Sequence, residues 1–566
     1  MRRLAAATVA TAAALVICGL GVSAGAATAP AGRAVSAARP AQSGGAGSSV
    51  TISNESGQTW TCGFNPYNLN VNYLSFGTVY EELLFINLLQ NGKVTPWLAS
   101  SYAWSNGNRT LTFTIRHGIS WSDGKPFSAA DVVFTFQLLR AHPALDVNAD
   151  WSALTSVTEK GSDQVVFQFK SAAVPLLYVI ADQTPIVSQH IWSKISNPVT
   201  YLDSHPVGTG PYVVNTCTPA NIKYTRNPAY WQHGLPRIST IYYPSFTSND
   251  PANAELANGT AQWGSQFIPN IQSYYLAKSK DFHIWFPPVT NVMIFINLKN
   301  PILSNLAVRR AMAYAINRPL VSRIGEYGYE PPANQANIVT PTYSGWLDTK
   351  LMSQYDYSYN PGKALSILEQ AGYKMVGGVM EKGGQKLSFT MDNVGGFSDW
   401  VASAQIVTQE LKAVGIQVTP SNLTSTTFDD QVFNGNFQLA YYAEAEIAGP
   451  APYYAMRQLL YSANSAPIGK PASTNYERYS DPKTDALLNA YGATTSLASQ
   501  KQITDELERV LLTDVPVIPT TEQVDWYQYD TANIGGWATP SDPYAQPAAY
   551  DYPDWGVMLL HLYPKK

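Results

Sequence analysis

Strand-type and helix-type segments interleave along this chain without a fixed repeat, and this pattern limits the folds that it can adopt. Residues 110–116 (TLTFTIR) alternate apolar and polar side chains, which is typical of a half-buried strand. Ser128 then precedes a segment in which Val132, Phe136 and Leu139 recur at helical spacing. Because such strands and helices alternate, the sequence predicts a mixed α/β protein.

The second half of the chain is richer in helical patterns. A chain of 566 residues is too long for a single hydrophobic core, so we expect at least two lobes. Helices are predicted after Ser304, from Pro361 to a stop at Gly372, over residues 398–414 and around residues 503–511, with strands at 292–298 and 437–442 between them.

Composition and charge exclude several functional classes. Apolar residues make up 45% of the chain and charged residues 13%, a balance that favours a folded body over disorder. The formal net charge is −4, and no basic patch of the kind that binds nucleic acid is present. The seven His are scattered, with no pair at metal-ligand spacing. We therefore expect no nucleic-acid partner, no metal and no cofactor.

The N-terminus has the layout of an export signal. Arg2 and Arg3 precede an uncharged apolar stretch at residues 4–20, and small residues follow at 23–26. We predict a signal peptide at residues 1–26 and a flexible linker of Ala, Gly, Ser and Pro at residues 27–48. The mature protein is then expected at the cell surface or in the periplasm.

Each of the three cysteines has two interpretations. Residues 15–18 (LVIC) resemble a bacterial lipobox, so Cys18 is either a lipidation site or an apolar residue of a cleaved signal. Ile17 departs from the small residue that this motif prefers before the cysteine. Cys62 and Cys217 remain after export, and in an oxidising compartment they either pair or stay as two buried thiols.

A series of motifs, in a fixed order, carries a family resemblance. Residues 116–132 (RHGISWSDGKPFSAADV) are the longest, and the others are 208–212 (GTGPY), 226–231 (RNPAYW), 308–318 (VRRAMAYAINR) and 364–373 (ALSILEQAGY). Together they resemble the family 5 extracellular solute-binding proteins, the class of oligopeptide, dipeptide and nickel receptors. The resemblance covers roughly residues 50 to 566.

The resemblance implies a two-lobed clamp of the periplasmic-binding-protein type. Lobe 1 would hold residues 48–293, including an accessory subdomain at about 79–205, and also residues 520–566. Lobe 2 would hold residues 294–519, and the two chain crossings would form a hinge. The implied function is that of a monomeric receptor of an ABC importer, which encloses a small molecule and delivers it to the permease subunits in the membrane.

Within the family, local segments resemble a cello-oligosaccharide-binding branch. These segments are residues 262–264 (QWG), 285–288 (WFPP), 397–400 (FSDW) and 542–545 (DPYA). Peptide receptors of the family commonly carry an Asp after the strand at 437–442, where it pairs with the peptide amino terminus. Here Glu444 and Glu446 stand in that stretch, so both a short peptide and a β-linked oligosaccharide remain open as ligands.

Candidate ligand contacts follow from the chemistry of these two ligands. Aromatic rings stack on the apolar faces of sugars, and carboxylates bind sugar hydroxyls or a peptide ammonium. For the tryptophans the alternative role is core packing, and for the glutamates it is a solvated loop. The candidate ligand-binding residues are Trp60, Cys62, Gly63, Trp263, Trp400, Tyr441, Glu444 and Glu446.

Two other classes of function compete with a binding protein. Glu444 and Glu446 are two residues apart and would share one face of a strand, as the alternative of a secreted glycoside- or peptide-processing hydrolase with a carboxylate pair would require. No metalloprotease, phosphate-loop or serine-nucleophile motif accompanies them, so we expect a binding protein with no catalytic residue. A structural surface protein is the third class, and saturable binding of a small ligand would exclude it.

Overall fold

The computed structural model describes residues 49–54, 56–68, 70–90, 92–340, 342–444 and 449–566. The predicted signal peptide, the linker at residues 27–48 and the lipidation candidate Cys18 lie outside the described residues. In the part of the chain that is described, no helix is long and apolar enough to span a bilayer.

The described residues contain both short and long strands. They are β1 (Ser49–Ser53), β2 (Leu84–Asn87), β3 (Lys93–Pro96), β4 (Ala99–Ser105), β5 (Thr110–Ile115), β6 (Leu154–Lys160), β7 (Gln164–Phe169), β8 (Tyr212–Thr218), β9 (Asn221–Arg226), β10 (Thr240–Pro244), β11 (Trp263–Gly264), β12 (Phe282–Ile284), β13 (Pro288–Ile296), β14 (Lys374–Val376), β15 (Val379–Lys382), β16 (Gln385–Lys386), β17 (Ser388–Val394), β18 (Gln417–Leu423), β19 (Leu439–Ala443), β20 (Val517–Val524), β21 (Gln528–Asp530), β22 (Ile534–Gly535) and β23 (Tyr563–Pro564).

The helices are concentrated in the second half, as predicted. They are α1 (Ala129–Ala141), α2 (Leu177–Ala181), α3 (Gln189–Trp192), α4 (Asn249–Ala257), α5 (Ile271–Tyr274), α6 (Leu306–Ala315), α7 (Arg318–Leu320), α8 (Thr349–Gln354), α9 (Pro361–Gln370), α10 (Ser398–Ala413), α11 (Ser425–Phe433), α12 (Tyr453–Leu460), α13 (Pro482–Ala493), α14 (Leu497–Asp514) and α15 (Asp554–His561).

Three sheets organise the described chain. A seven-stranded sheet has the order β12-β21-β11-β1-β10-β9-β8, and a five-stranded sheet has the order β18-β17-β19-β13-β20. A four-stranded antiparallel sheet, β4-β5-β7-β6, lies within residues 79–205 together with α1, α2 and α3. The mixed α/β, two-lobed fold class expected from the sequence is confirmed, and we propose that the four-stranded sheet marks the accessory subdomain.

The predicted strand and helix around residue 120 are both present. In β5 the alternating residues Leu111, Phe113 and Ile115 are buried. The helical segment predicted after Ser128 is α1, which begins with a capping box in which the Ser128 backbone N–H donates to Asp131 Oδ2 over 2.9 Å. Local patterns therefore suffice for these two elements.

The chain passes between the two large sheets through neighbouring strands. The predicted lobe boundaries, 293/294 and 519/520, fall inside β13 and β20, which pair antiparallel with Phe295 opposite Val517. Because both strands belong to the five-stranded sheet along their whole length, the crossing lies before Pro288 and after Val524. We propose boundaries at 287/288 and 524/525 in place of the sequence-based ones.

A disulfide joins the loop after β1 to strand β8. The sulfur atoms of Cys62 and Cys217 are 2.09 Å apart, and 155 residues separate the two cysteines. Of the two interpretations that the sequence left open, the structure has the paired form. The bond closes a loop that contains the whole four-stranded sheet.

Removing this disulfide should destabilise the protein. In the chain-entropy account, closing a loop of this length contributes about 5 kcal/mol, because the cross-link restricts the unfolded chain. We expect the Cys62→Ser/Cys217→Ser variant to unfold at lower urea concentration than the oxidised wild type. Reduction should shift the wild type to the same midpoint and leave the double variant unchanged. Equal midpoints for the oxidised wild type and the variant would contradict this.

Candidate functional site

A cavity of about 300 Å³ lies between the seven-stranded and the five-stranded sheet. The loop after β1 and the start of α4 line it from one side, for example with Asn54 and Asn249. The start of α10 and the end of β19 line it from the other side, for example with Trp400 and Glu444. Asp150, between α1 and β6, adds a contribution from the four-stranded-sheet region. Such a position between lobes is typical of a small-molecule site.

Aromatic rings form part of the cavity surface. Trp400 contacts Phe397 and Tyr442 edge-to-face, with ring centroids 5.0 and 5.5 Å apart. On the opposite side, Phe267 and Trp526 are also edge-to-face at 5.5 Å. These rings support one another through packing, so they present rigid apolar faces to a ligand.

The polar groups of the cavity are amides, hydroxyls and carboxyls. None of the described lining residues is Lys, Arg or His. Nor does any group of His, Cys, Asp and Glu among the described residues have the geometry of a metal site. The lining carboxyls are Asp146, Asp150, Asp399, Asp429 and Glu444, and the lining amides include Asn54, Gln58, Asn148, Gln183, Asn249, Gln266 and Gln523.

Glu444 is a buried carboxyl at the end of β19. Asn337 Nδ2 donates to both of its oxygens over 3.1 Å, and Thr290 Oγ1 donates to Oε2 over 3.3 Å. Burial raises its pKa to about 7, while the hydrogen bonds from Asn337 and Thr290 oppose that rise. At neutral pH this group therefore exists in both its protonated and its ionised form.

Two further carboxyls in the cavity surface have raised pKa values. Asp399 lies in the first turn of α10 and is 4% exposed, and burial raises its pKa to about 7. Burial also raises the pKa of Asp429 on α11 to about 7, and the charge of the neighbouring Asp430 adds to the rise. Both groups titrate near neutrality because water is largely removed from them.

Hydrogen bonds join the two sides around the cavity. Asn249 Oδ1 on α4 accepts from the backbone N–H and from Oγ of Ser398 on α10, over 2.8 and 3.1 Å. Near the crossing strands, the backbone N–H of Ile271 donates to the Tyr329 hydroxyl over 3.1 Å. These contacts connect residues more than fifty positions apart, and they link the two lobes.

The family follows from comparison with known proteins. Residues 93–467 match the family model described as bacterial extracellular solute-binding proteins, family 5 Middle. This chain belongs to that family. Family 5 is a class of solute-binding proteins, and its description places its members outside the cytoplasm.

Relatives of this family 5 protein differ in the ligands that their names give. The glutathione-binding protein GsiB of Salmonella paratyphi A is 30% identical over 290 residues, which is 50% of this chain and 54% of that protein. The chain thus spans about half the length of the curated relatives that it matches.

Solved structures match over nearly the whole described chain. The mannohexaose-bound periplasmic oligopeptide-binding protein of Thermotoga maritima has a TM-score of 0.86 and 26% identity, with 92% of this chain and 99% of that chain covered. The oligopeptide-binding protein AppA of Bacillus subtilis, in complex with a nonapeptide, has a TM-score of 0.77 and 21% identity, with coverage of 92% and 99%. At 21% identity, the similarity to AppA shows a shared fold.

Two predicted tryptophan contacts are corrected by their positions in this family 5 protein. The Trp60 indole is buried and donates Nε1–H to the Tyr243 carbonyl over 2.8 Å. The Trp263 indole is fully buried, donates to the Pro547 carbonyl over 2.9 Å and packs against Trp537. Neither lines the cavity, because each indole is satisfied inside the core of the seven-stranded-sheet half. Only Trp400 of the three predicted tryptophans lies in the cavity surface.

The remaining candidates divide in the same way. Tyr441 points away from the cavity, with its hydroxyl 3.0 Å from Thr520 Oγ1, while its neighbour Tyr442 lines the cavity. Successive side chains of a strand face opposite sides, so the prediction missed by one residue. Cys62 is held in the disulfide, and Gly63 lies against the Leu202 carbonyl, so neither reaches the cavity.

Glu444, a predicted ligand contact, lines the cavity, and Glu446 lies outside the described residues. The sequence did not identify Asn249, Asp429 or Trp526 as lining residues. No sequence motif marks these three residues, because the segments that carry them come together only in the folded chain. Asp399 stands inside the segment 397–400 that the sequence had singled out for its tryptophan.

The stability of the protein should depend on the titration of Glu444. Its pKa is about 7 in the folded chain against 4.5 for a Glu carboxyl exposed to water, so the folded state binds more protons between these pH values. Stability from this group is full below about pH 4.5 and is lost as pH rises through 7. The free energy of unfolding of the wild type should therefore fall between pH 5 and pH 8. In the Glu444→Gln variant this fall should be smaller, by at most about 3 kcal/mol.

Urea denaturation at the two pH values measures this difference. The matched control is Glu369→Gln, which neutralises an exposed carboxyl group on α9 and should keep the wild-type pH dependence. If Glu444→Gln shows the same pH dependence as the wild type, the assignment of a raised pKa to Glu444 is wrong.

Proposed function

We propose that this chain is the extracytoplasmic receptor of an ABC importer and that it captures a short β-linked oligosaccharide between its two lobes. One observation carries the choice of ligand: aromatic faces, amides and carboxyls line the cavity, and no described lining residue is cationic. In this proposal the protein acts as an exported monomer, with or without a lipid at Cys18, and passes its ligand unaltered to the permease.

Sugars suit this surface because of their two-sided chemistry. The apolar face of a pyranose ring stacks on indole or phenyl rings, here Trp400, Trp526 and Phe397. The ring hydroxyls donate to carboxyls and exchange hydrogen bonds with amides such as Asn249 and Gln266. The cavity volume of about 300 Å³ lies at the small end for ligand sites, which favours a short oligomer.

A peptide would meet less favourable groups in the same cavity. The ammonium group of a free peptide would suit the lining carboxyls, but its terminal carboxylate, like the two carboxylates of glutathione, would find no cationic side chain among the described lining residues. Like charges brought together in a partly desolvated site repel. The Thermotoga maritima relative, which was solved with mannohexaose, supports the view that this fold accommodates a saccharide.

A thermal-shift panel tests this function directly. Cello-oligosaccharides and manno-oligosaccharides of two to six units, short peptides and glutathione would each be added to the exported protein. We expect saccharides to raise the melting temperature by a few degrees at saturating concentration, since a ligand that binds only the folded state stabilises it. Chromatography of the mixture should recover the sugar intact. Shifts with peptides alone, or cleavage of the sugar, would overturn the proposal.

Trp400→Ala should weaken saccharide binding by about tenfold or more, because it removes a stacking face from the cavity. Isothermal titration against the best saccharide of the panel measures the change, and circular dichroism checks that the variant is folded. Trp346→Ala is the matched control, since Trp346 is a half-buried tryptophan outside the cavity and its loss should leave affinity unchanged. Equal affinities for the wild type and Trp400→Ala would remove Trp400 from the site.

A further inference from the structure

The charged groups in the cavity surface are all of one sign. Five carboxyls line it, from the loops before β6, from α10 and α11 and from the end of β19, and the described lining residues include no cation. A neutral sugar needs hydrogen-bonding groups, but amides supply these without the cost of gathering acids in one place. The excess of acids therefore points to a ligand that carries positive charge.

Several residues that line this cavity carry a buried side-chain oxygen that accepts no hydrogen bond within the protein. Asp399 is 4% exposed, and its Oδ1 is buried without a partner. Asp150 is also 4% exposed, and while its Oδ2 accepts from Thr184 Oγ1 over 3.1 Å, its Oδ1 has no partner. Oε1 of Gln523 is a third such acceptor. A buried acceptor left unpaired is costly, so a donor supplied by a ligand would stabilise these groups.

Few of the described cationic residues lie next to the lining carboxyls to compensate their negative charge. Burial raises the pKa of Asp146 and Asp150, and Arg457 on α12 opposes the rise without itself lining the cavity. Glu326 and Glu330 lie close enough to Asp399 for their charges to interact, and their own burial raises their pKa values. The other titratable neighbours are Asp430 beside Asp429, and Tyr343 and Glu477 near Glu444.

We infer that the ligand of this cavity bears protonated amino groups, and that within the proposed saccharide class it is a β-linked oligosaccharide of amino sugars with free amines. An ammonium group offers three donors and one positive charge. It would satisfy the unpartnered oxygens of Asp399 and Asp150 from the two sides of the cavity. An N-acetylated sugar of the same length keeps the ring faces but has neither the charge nor these donors.

Proton release distinguishes this ligand from a neutral one. Because burial raises the pKa of Asp399, Asp429 and Glu444 to about 7, these groups are largely protonated at pH 6 in the empty cavity. A bound ammonium favours their ionised forms, so binding releases protons to the buffer. A neutral saccharide favours no such ionisation and releases none.

Isothermal titration at pH 6.0 in buffers of different ionisation enthalpy tests the inference on the full exported protein. The probes are β-1,4-linked glucosamine oligomers of two to four units, their N-acetylated counterparts, and cello-oligosaccharides of equal length. We expect the amine oligomers to bind about tenfold or more tightly than the acetylated ones, as a charge-assisted hydrogen bond implies, with about one proton released for each ligand bound.

Two neighbouring variants on α11 sharpen the test. Asp429→Asn removes a carboxyl from the cavity surface and should reduce the ratio of the affinities for amine and acetylated oligomers. Asp430→Asn removes an exposed carboxyl outside the cavity and should leave this ratio unchanged. Equal affinity for amine and acetylated oligomers without proton release would overturn this inference and leave the proposed function standing. If peptides bind and none of the saccharides does, both are overturned.

Discussion

The architecture depends on one interaction, the antiparallel pairing of β13 with β20. These two strands are adjacent in the five-stranded sheet, and the chain continues from them into β12 and β21 of the seven-stranded sheet. At the crossing, the backbone N–H of Asp525 donates to the Pro287 carbonyl over 2.9 Å, and that of Trp285 donates to the Tyr527 carbonyl over 3.0 Å. Both connections between the halves therefore lie side by side. We propose that the two halves move by bending about this pair of strands, which would open or close the cavity between them.

The second constraint is electrostatic. Burial raises the pKa of several carboxyls to about 7, and Glu444, Asp399 and Asp429 belong to the surface of the cavity itself. Elsewhere the same effect acts on Glu81, whose carboxyl accepts hydrogen bonds from the indoles of Trp97 and Trp231. The protein thus keeps acids in places where water is scarce. In the core these carboxyls serve as hydrogen-bond acceptors. In the cavity their ionised forms make the surface negative, and that charge changes with pH.

The tryptophans show how one residue type serves two purposes. Trp60 and Trp263 are satisfied by backbone carbonyls inside the core, whereas Trp400 packs against Phe397 and Tyr442 and also lines the cavity. Their sequence contexts, beside loops or at helix starts, did not separate these roles. The two roles depend on what the ring faces in the folded chain. A tryptophan whose ring faces another element of the same lobe packs in the core, whereas one whose ring faces the opposite lobe lines the cavity.

The sequence by itself determined the elements and the family. Alternation in β5, the capping box at Ser128 and the helical spacing of α10 and α14 are local properties, because neighbouring residues decide backbone conformation and the buried face. The motifs between residues 93 and 467 likewise identify the family without a structure. Only the tertiary structure decided which side of β19 meets the cavity, that Asn249 reaches Ser398 across 149 positions, and that Asp150 and Asp399 line one cavity. These are long-range relations set by sheet pairing and lobe contact. No local periodicity reports them, because a side chain's neighbours across a cleft are independent of its neighbours along the chain.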